Sequence, residues 1–185
     1  FIIDENIINN IVEKANIDLD TLVIEVGPGM GALTYGLAKK AKKVIAFEID
    51  ETLKEVLEKN LSDFDNVEIF YEDFLKINLE DYIKENEYKK IYVVANLPYY
   101  ITTPILMKII DSKISIDKTV VMVQKEVGNR FKAQTKTKDY SSLSVYLNYY
   151  FDIKKLMDVS KNVFIPKPKV DSIVVVFERK KEKII

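Results

Sequence analysis

The chain has 185 residues and a net charge of −1, and its 48% apolar and 31% charged residues predict one globular domain and exclude a disordered chain. It contains neither cysteine nor histidine, which excludes disulfides, thiolate or imidazole metal sites and a histidine general base. No apolar run approaches the roughly 20 residues that cross a bilayer, so we predict a cytoplasmic protein without a membrane partner and without a metal.

Apolar periodicity predicts that strands and helices alternate along most of the chain. The predicted strands are 21–27, 44–49, 66–71, 90–96 and 119–124, and the predicted helices are 5–15, 31–42, 51–60, 79–87, 103–112 and 126–133. After a polar link, 142–151 is compatible with a helix or a strand, and a final strand pair ends in 172–178. This alternation predicts an α/β protein in which helices cover both faces of a parallel sheet.

The stretch EVGPGMGAL at 25–33 carries Gly27, Gly29 and Gly31 between a predicted strand and a predicted helix. Glycine permits a sharp turn and the close approach of a ligand, and a helix N-terminus attracts negative charge. Glu48 ends the next strand about 20 residues further on, where a carboxylate can hold both hydroxyls of a ribose. These features predict an adenosine-type cofactor, either a nicotinamide dinucleotide or S-adenosylmethionine. The alternative is a turn that only packing requires.

The stretch YEDF at 71–74 contains an acid and an aromatic residue at the end of the third predicted strand. Asp73 can accept a hydrogen bond from the exocyclic amine of an adenine, and Phe74 can cover the adenine ring. The alternative is that Asp73 only caps a helix. An acid at this position favours S-adenosylmethionine over a nicotinamide cofactor.

The stretch VVANLPYYITTP at 93–104 ends a buried strand in an amide, a proline and two tyrosines. Asn96 offers a carbonyl acceptor, Pro98 stiffens the turn without donating a hydrogen bond, and Tyr99 presents a stacking face. This set suits a planar substrate with an exocyclic amine, and it needs no histidine base. The alternative is an ordinary strand-ending turn, since Asn and Pro both favour turns.

With these motifs the chain resembles the ribosomal RNA adenine N6,N6-dimethyltransferases, which dimethylate two adjacent adenines near the end of small-subunit rRNA. The matching segments follow the family order along nearly the whole chain: FIIDENII, EVGPGMGALT, AFEID, EDFL, VVANLPYYITTPIL, VMVQKEVGNRF, KDYSSLSVYLNYYFDI and VFIPKPKVDSIVVVF. The resemblance implies a doubly wound, mostly parallel seven-stranded sheet of the Rossmann-like class I methyltransferase fold. It also implies S-adenosylmethionine as cofactor, S-adenosylhomocysteine as product, and small-subunit rRNA or a pre-30S-type particle as the partner of a monomeric enzyme.

The same resemblance assigns the site residues. The implied cofactor site comprises Ile2, Gly27, Gly29, Gly31, Glu48, Ile49, Asp73, Phe74 and Asn96, and the implied catalytic set comprises Asn96, Leu97, Pro98, Tyr99 and Phe164. Tyr99 and Phe164 are implied to hold a flipped adenine between their rings, since base-modifying enzymes extract their target from the stack. For Phe164 the alternative is a residue of the hydrophobic core.

Two departures from the family pattern concern the ends of the chain. Of the family's basic leader and Gly-Gln-Asn-Phe stretch only Phe1 is present, and the small C-terminal helical domain is missing after the last predicted strand. We therefore expect residues 1–185 to be the methyltransferase catalytic domain alone.

Three alternative functions stay open at this point. They are a macrolide-resistance type methyltransferase acting on large-subunit rRNA, a non-catalytic nucleic-acid-binding relative such as the mitochondrial transcription factors, and a nicotinamide oxidoreductase. The segments NLPYYITTP and VFIPKPKVDS favour the small-subunit enzyme. Acidic residues dominate 48–87 and basic residues dominate from 125 onward, which fits either solvated faces or a polyanionic partner.

Overall fold

The computed structural model describes residues 4–96, 99–132 and 142–181, and its centre is a seven-stranded sheet. The strands are β1 (Thr21–Val26), β2 (Lys43–Phe47), β3 (Val67–Phe70), β4 (Lys90–Asn96), β5 (Lys118–Gln124), β6 (Phe151–Val159) and β7 (Ser172–Arg179). The helices are α1 (Glu5–Lys14), α2 (Ala32–Ala38), α3 (Lys54–Asn60), α4 (Tyr99–Asp111), α5 (Lys125–Lys132) and α6 (Ser142–Tyr150). The predicted α/β fold with a mostly parallel sheet is confirmed.

The order of the strands determines where a ligand can bind. It runs β3-β2-β1-β4-β5-β7-β6, so the chain moves outward from β1 in one direction and, from β4 onward, in the other. Strands β1 to β5 pair in parallel, whereas β7 pairs antiparallel with both β5 and β6. Open α/β sheets bind their ligands in the crevice at this reversal, between the carboxyl ends of β1 and β4.

Alternate residues of the strands point to opposite faces of the sheet and build two hydrophobic cores. Val94 and Val120 belong to the core under α1 and α2, which we call the α1–α2 face. Val93 and Val121 belong to the core on the opposite face, together with residues of α4, α5 and α6. The central strands are therefore buried on both faces, which explains why they occur in the sequence as continuous apolar runs.

A cap and a close contact fix the helices of the α1–α2 face. Asp4 caps α1, because its Oδ1 accepts a hydrogen bond from the backbone N–H of Asn6 at 2.9 Å. Gly36 of α2 lies directly against α1, since a Cβ at this position would come within 2.3 Å of Cγ2 of Ile8. The missing side chain thus lets α1 pack closely behind the loop that joins β1 to α2.

The segment 79–87 differs from its prediction. It contains two separate 3₁₀ turns, Leu79–Asp81 and Glu85–Glu87, instead of one helix. The segment buries Leu79 and Ile83 alone, and so little apolar surface does not stabilise a short helix.

Two predictions about the later helices can be compared with the structure, the type of the segment 142–151 and the start of α4. The segment 142–151 is helix α6, and strand β6 begins at its last residue, Phe151. Helix α4 begins at Tyr99 and not near 103, so Pro104 lies inside it. Proline has no N–H to donate to the helix, and the packing of the buried face of α4 in the core compensates for this missing hydrogen bond. Among the described residues, no helix has the length and apolar character to cross a membrane.

Candidate active site

The loop between β1 and α2, which we call the glycine loop (residues 27–31), turns at all three of its glycines. Gly27, Gly29 and Gly31 have φ angles of 75°, 59° and 92°, a left-handed conformation that residues with a Cβ rarely adopt. A Cβ at Gly31 would also lie 3.1 Å from Cδ2 of Leu57 in α3. The glycines are therefore required by the conformation of the turn as well as by any ligand that approaches it.

Glu48 connects the end of β2 to the glycine loop. Its Oε1 accepts a hydrogen bond from the backbone N–H of Gly29 at 3.0 Å, and its Oε2 accepts one from Asp50 at 3.1 Å. The residue is 9% exposed. Each carboxylate oxygen has a second lone pair, so Glu48 can hold the loop and still accept hydrogen bonds from a ribose.

Glu25 is a carboxyl group buried in the floor of the crevice. It is 2% exposed, and Thr34 of α2 donates a hydrogen bond from Oγ1 to Oε1 of Glu25. Burial raises the pKa of Glu25 to about 7; the hydrogen bond from Thr34 opposes this shift and the charge of Glu48 adds to it. Strongly shifted carboxyl groups of this kind cluster at functional sites.

A cavity of about 500 Å³ opens at the carboxyl ends of β1, β4 and β5. Its lining includes Gly27 and Gly29 of the glycine loop, Glu25 beneath them, and Asn96 and Phe164 on the other side. Asn96 is the last residue of β4 and is half-buried. The fold thus brings together, in one cavity, residues from the predicted cofactor set and from the predicted catalytic set.

The connection between β6 and β7, residues 160–171, borders the cavity on the side of β5. Phe164 lies on this loop, half-buried against the core of the α1–α2 face while it also lines the cavity. Asp171 fixes the loop, because its Oδ1 accepts from the N–H of Lys161 at 2.9 Å and its carbonyl accepts from the N–H of Lys125 at 3.0 Å. The position of Phe164 is compatible with both interpretations, stacking on a base and packing in the core.

Asp73 and Phe74 lie in the turn after β3 and do not line this cavity. Oδ1 of Asp73 accepts a hydrogen bond from the N–H of Leu75 at 3.0 Å, so the carboxylate caps this turn and not a helix. The ring of Phe74 is 2% exposed, 5.7 Å from the ring of Phe47, and Nζ of Lys108 lies over it at 5.5 Å. This ring belongs to the core, which corrects the expectation that it covers an adenine.

The other predicted site residues lie apart from the cavity or outside the described residues. Ile49 follows Glu48 and is 67% exposed. Ile2, Leu97 and Pro98 lie outside the described residues, as does the side chain of Tyr99. Within the described ranges, no group of three acidic side chains is arranged to hold a metal ion.

Polar residues of the cavity that were not selected from the sequence include Glu25, Gln124 and Ser172. Glu25 carries a usable signal, because an acid within the apolar run TLVIEV is costly to bury and therefore suggests a function. Gln124 ends β5 as Asn96 ends the neighbouring β4, which is a weaker signal. Ser172 has none, because it reaches the cavity only through the antiparallel direction of β7.

Comparisons with known proteins agree with this geometry. A family model described as "Ribosomal RNA adenine dimethylase" matches residues 1–184. The chain is 51% identical to the ribosomal RNA small subunit methyltransferase A of Staphylococcus aureus over 187 aligned residues, which cover 100% of this chain and 63% of that protein. The chain therefore spans less than two thirds of the length of this relative.

Two solved structures are also similar. A dimethyladenosine transferase from Plasmodium falciparum matches with a TM-score of 0.84 and 30% identity, over 97% of this chain and 63% of that one. The 23S rRNA methyltransferase ErmE matches with a TM-score of 0.82 and 31% identity, over 100% of this chain and 72% of that one.

Proposed function

Because this chain belongs to the ribosomal RNA adenine dimethylase family, we propose that it transfers methyl groups from S-adenosylmethionine to the N6 amine of two adjacent adenines in small-subunit rRNA. The observation that carries the proposal is the single cavity lined by the glycine loop, Asn96 and Phe164. Direct transfer requires that donor and acceptor are held together in one orientation, which such a cavity supports. The enzyme meets its RNA in a pre-30S-type particle, as a monomer in the cytoplasm.

The glycine loop and the turns after β2 and β3 offer groups that suit S-adenosylmethionine. The left-handed glycines allow the backbone to approach a ligand, Glu48 offers oxygens to the ribose hydroxyls, and Asp73 has a second carboxylate oxygen for the adenine amine. When bound, the cofactor supplies a methyl group on a positively charged sulfur. Further contacts of the proposed site come from Ile2, Ile49 and the backbone of Phe74.

We expect Glu48→Ala to weaken S-adenosylmethionine binding by about 1.5–3 kcal/mol, the range for hydrogen bonds to a charged group. Calorimetric titration measures this affinity directly. Glu55→Ala, which removes an exposed carboxylate from α3, serves as the matched control and should bind normally. Unchanged affinity in Glu48→Ala would remove the ribose-binding role from this residue.

Asn96 has the central part in the proposed chemistry. Its side-chain carbonyl accepts a hydrogen bond from the N6 amine of the target adenine. Acceptors that hold both N–H bonds free the nitrogen lone pair from the ring and direct it toward the methyl group. No general base is needed before the new C–N bond forms, which suits a chain without histidine.

Phe164 and Tyr99 stack on the two sides of the target base in this proposal. We expect Phe164→Ala to leave folding and cofactor binding unchanged and to reduce methylation of the RNA. The reason is that stacking on an aromatic side chain is worth about 1–3 kcal/mol per base. Turnover on RNA, the melting temperature and cofactor affinity are measured together. A large fall in melting temperature with loss of cofactor binding would instead identify Phe164 as a core residue.

Exposed lysines near the cavity support an RNA substrate. Lys167 and Lys169 lie on the same loop as Phe164, and Lys125 begins α5 beside the end of β5. All three are exposed. Such side chains can contact phosphates, which position a nucleic acid without reading its sequence.

Two measurements test the proposed function. Calorimetry should detect binding of S-adenosylmethionine and none of NAD, and the reverse result would support an oxidoreductase. Transfer of labelled methyl groups by the full-length protein is then compared on small-subunit and large-subunit particles that lack the modification. Labelling of the small-subunit particle supports the proposal; labelling of the large-subunit particle would identify the macrolide-resistance type of activity, and no labelling of either would indicate a binding protein.

A further inference from the structure

We infer that Gln124 donates a hydrogen bond from its side-chain amide to N1 of the target adenine and thereby helps to select the base that is methylated. The inference rests on the proposed function and deepens it. Gln124 is the last residue of β5, is exposed, and lines the same cavity as Asn96.

The two amides point to the same side of the sheet. Asn96 follows Val94 by two residues, and Gln124 follows Met122 by two residues. Val94 and Met122 both belong to the core of the α1–α2 face, and side chains two residues apart on a strand share a face. Asn96 and Gln124 therefore both emerge on the α1–α2 face, where the cavity lies.

The register of β4 and β5 sets the separation of the two residues. Asn96 lies opposite Met122, so Gln124 is one strand across and two residues further toward the open edge. With strands about 4.8 Å apart and a rise of about 3.3 Å per residue, the two Cα atoms are roughly 8 Å apart. In the inferred complex, the ring of a base whose amine is held by Asn96 extends toward the mouth of the cavity, and its edge then lies next to Gln124.

The backbone at Gln124 is held by its pairing with β7. Gln124 pairs with Ser172 of β7, and the N–H of the next residue, Lys125, donates to the carbonyl of Asp171 at 3.0 Å. The strand fixes where the side chain of Gln124 begins, so only its rotamers have to be ordered when it binds a ligand.

The chemistry of the amide favours N1 as its partner. Glutamine and asparagine amides match the acceptor and donor groups of adenine, and flipped bases are read along the Watson–Crick edge. Adenine N1 is an acceptor beside the amine, whereas guanine carries a hydrogen on N1 and an oxygen in place of the amine. A donor at Gln124 and an acceptor at Asn96 together accept adenine and reject guanine.

The test combines changes in the enzyme with changes in the base. Full-length wild-type protein, Gln124→Leu and Gln124→Glu are assayed by single-turnover methylation of small-subunit particles. The particles are reconstituted with RNA ligated to a synthetic segment that carries adenine, 1-deazaadenine or 7-deazaadenine at the target. Asn86→Ala, an exposed amide in the turn before β4, is the matched control and should behave as wild type. Melting temperature and cofactor affinity are measured for every variant.

Both Gln124 variants are expected to methylate adenine RNA about 3–10-fold more slowly, the loss for one hydrogen bond, with unchanged melting temperature and cofactor affinity. On 1-deazaadenine RNA they should match the wild-type protein, because the acceptor is already gone, whereas on 7-deazaadenine RNA the loss should persist. Equal losses on adenine and 1-deazaadenine RNA, or a loss abolished by the 7-deaza change, would overturn the inference. Absence of methylation of adenine RNA by the wild-type protein would contradict the proposed function itself, and the inference falls with it.

Discussion

Replacement of Asn96 by alanine is expected to lower the methylation rate by about 10²–10³-fold and to weaken RNA binding far less. The reason is that the contact to the amine matters most when the nitrogen becomes pyramidal on the way to the transition state. Asn96 is half-buried at the end of β4 and lines the cavity, so its side chain is available to a substrate there. Single-turnover methylation by the full-length variant, with RNA affinity measured in parallel, checks this expectation.

Asn96→Asp separates geometry from charge at the same position. Aspartate keeps an acceptor oxygen and adds a negative charge near a cationic cofactor, so we expect tighter cofactor binding together with slower methylation, because the amine is misaligned. Asn86→Ala provides the control for loss of an exposed amide elsewhere. A wild-type rate in Asn96→Ala would reduce the NLPY segment to a strand-ending turn and end its catalytic assignment.

Glu25 should make the stability of the folded protein depend on pH. Burial raises its pKa from 4.5 to about 7, so between these values the folded protein holds a proton that the unfolded chain has released. The contribution of Glu25 to the free energy of unfolding therefore falls as the pH rises from about 4.5 to about 7, by about 3 kcal/mol in total. Glu25→Gln lacks this dependence and should become more stable than the wild-type protein by up to that amount at pH 8.

Urea unfolding of both proteins without cofactor, repeated between pH 4.5 and pH 8, measures this difference. Glu55→Gln, which neutralises an exposed carboxylate on α3, is measured in parallel as the control for removal of a surface carboxylate. A stability difference between Glu25→Gln and the wild-type protein that stays constant with pH would show that Glu25 is already ionised in the folded state.

The sequence was sufficient to predict those parts of the candidate site that are formed by a single short segment. The glycine loop could be predicted because positive φ angles demand glycine between a strand and a helix, and all three glycines adopt them. Asn96 could be predicted because a polar residue at the end of a buried strand lies at the edge where α/β sheets bind ligands. In both cases the chemistry and the backbone requirement coincide within a few residues.

Features that depend on packing between distant segments could not be read from the sequence. The direction of the Phe74 ring is decided by its contact with Phe47 of β2, so an aromatic residue beside an acid did not indicate which way the ring points. The contribution of Ser172 and Asp171 depends on β7 running antiparallel to β5. The pKa of Glu25 depends on how completely the helices of the α1–α2 face cover β1.

Mass spectrometry of nucleosides from small-subunit RNA is the most direct test of the proposed methylation. Small-subunit particles that lack the modification are incubated with the full-length protein and S-adenosylmethionine, and the RNA is digested and mapped. We expect N6,N6-dimethyladenosine at two adjacent adenines near the end of the RNA, with N6-monomethyladenosine at early times and both strongly reduced for Asn96→Ala. Methylation of another base, methylation of another atom of adenine, or no methylated nucleoside would contradict it.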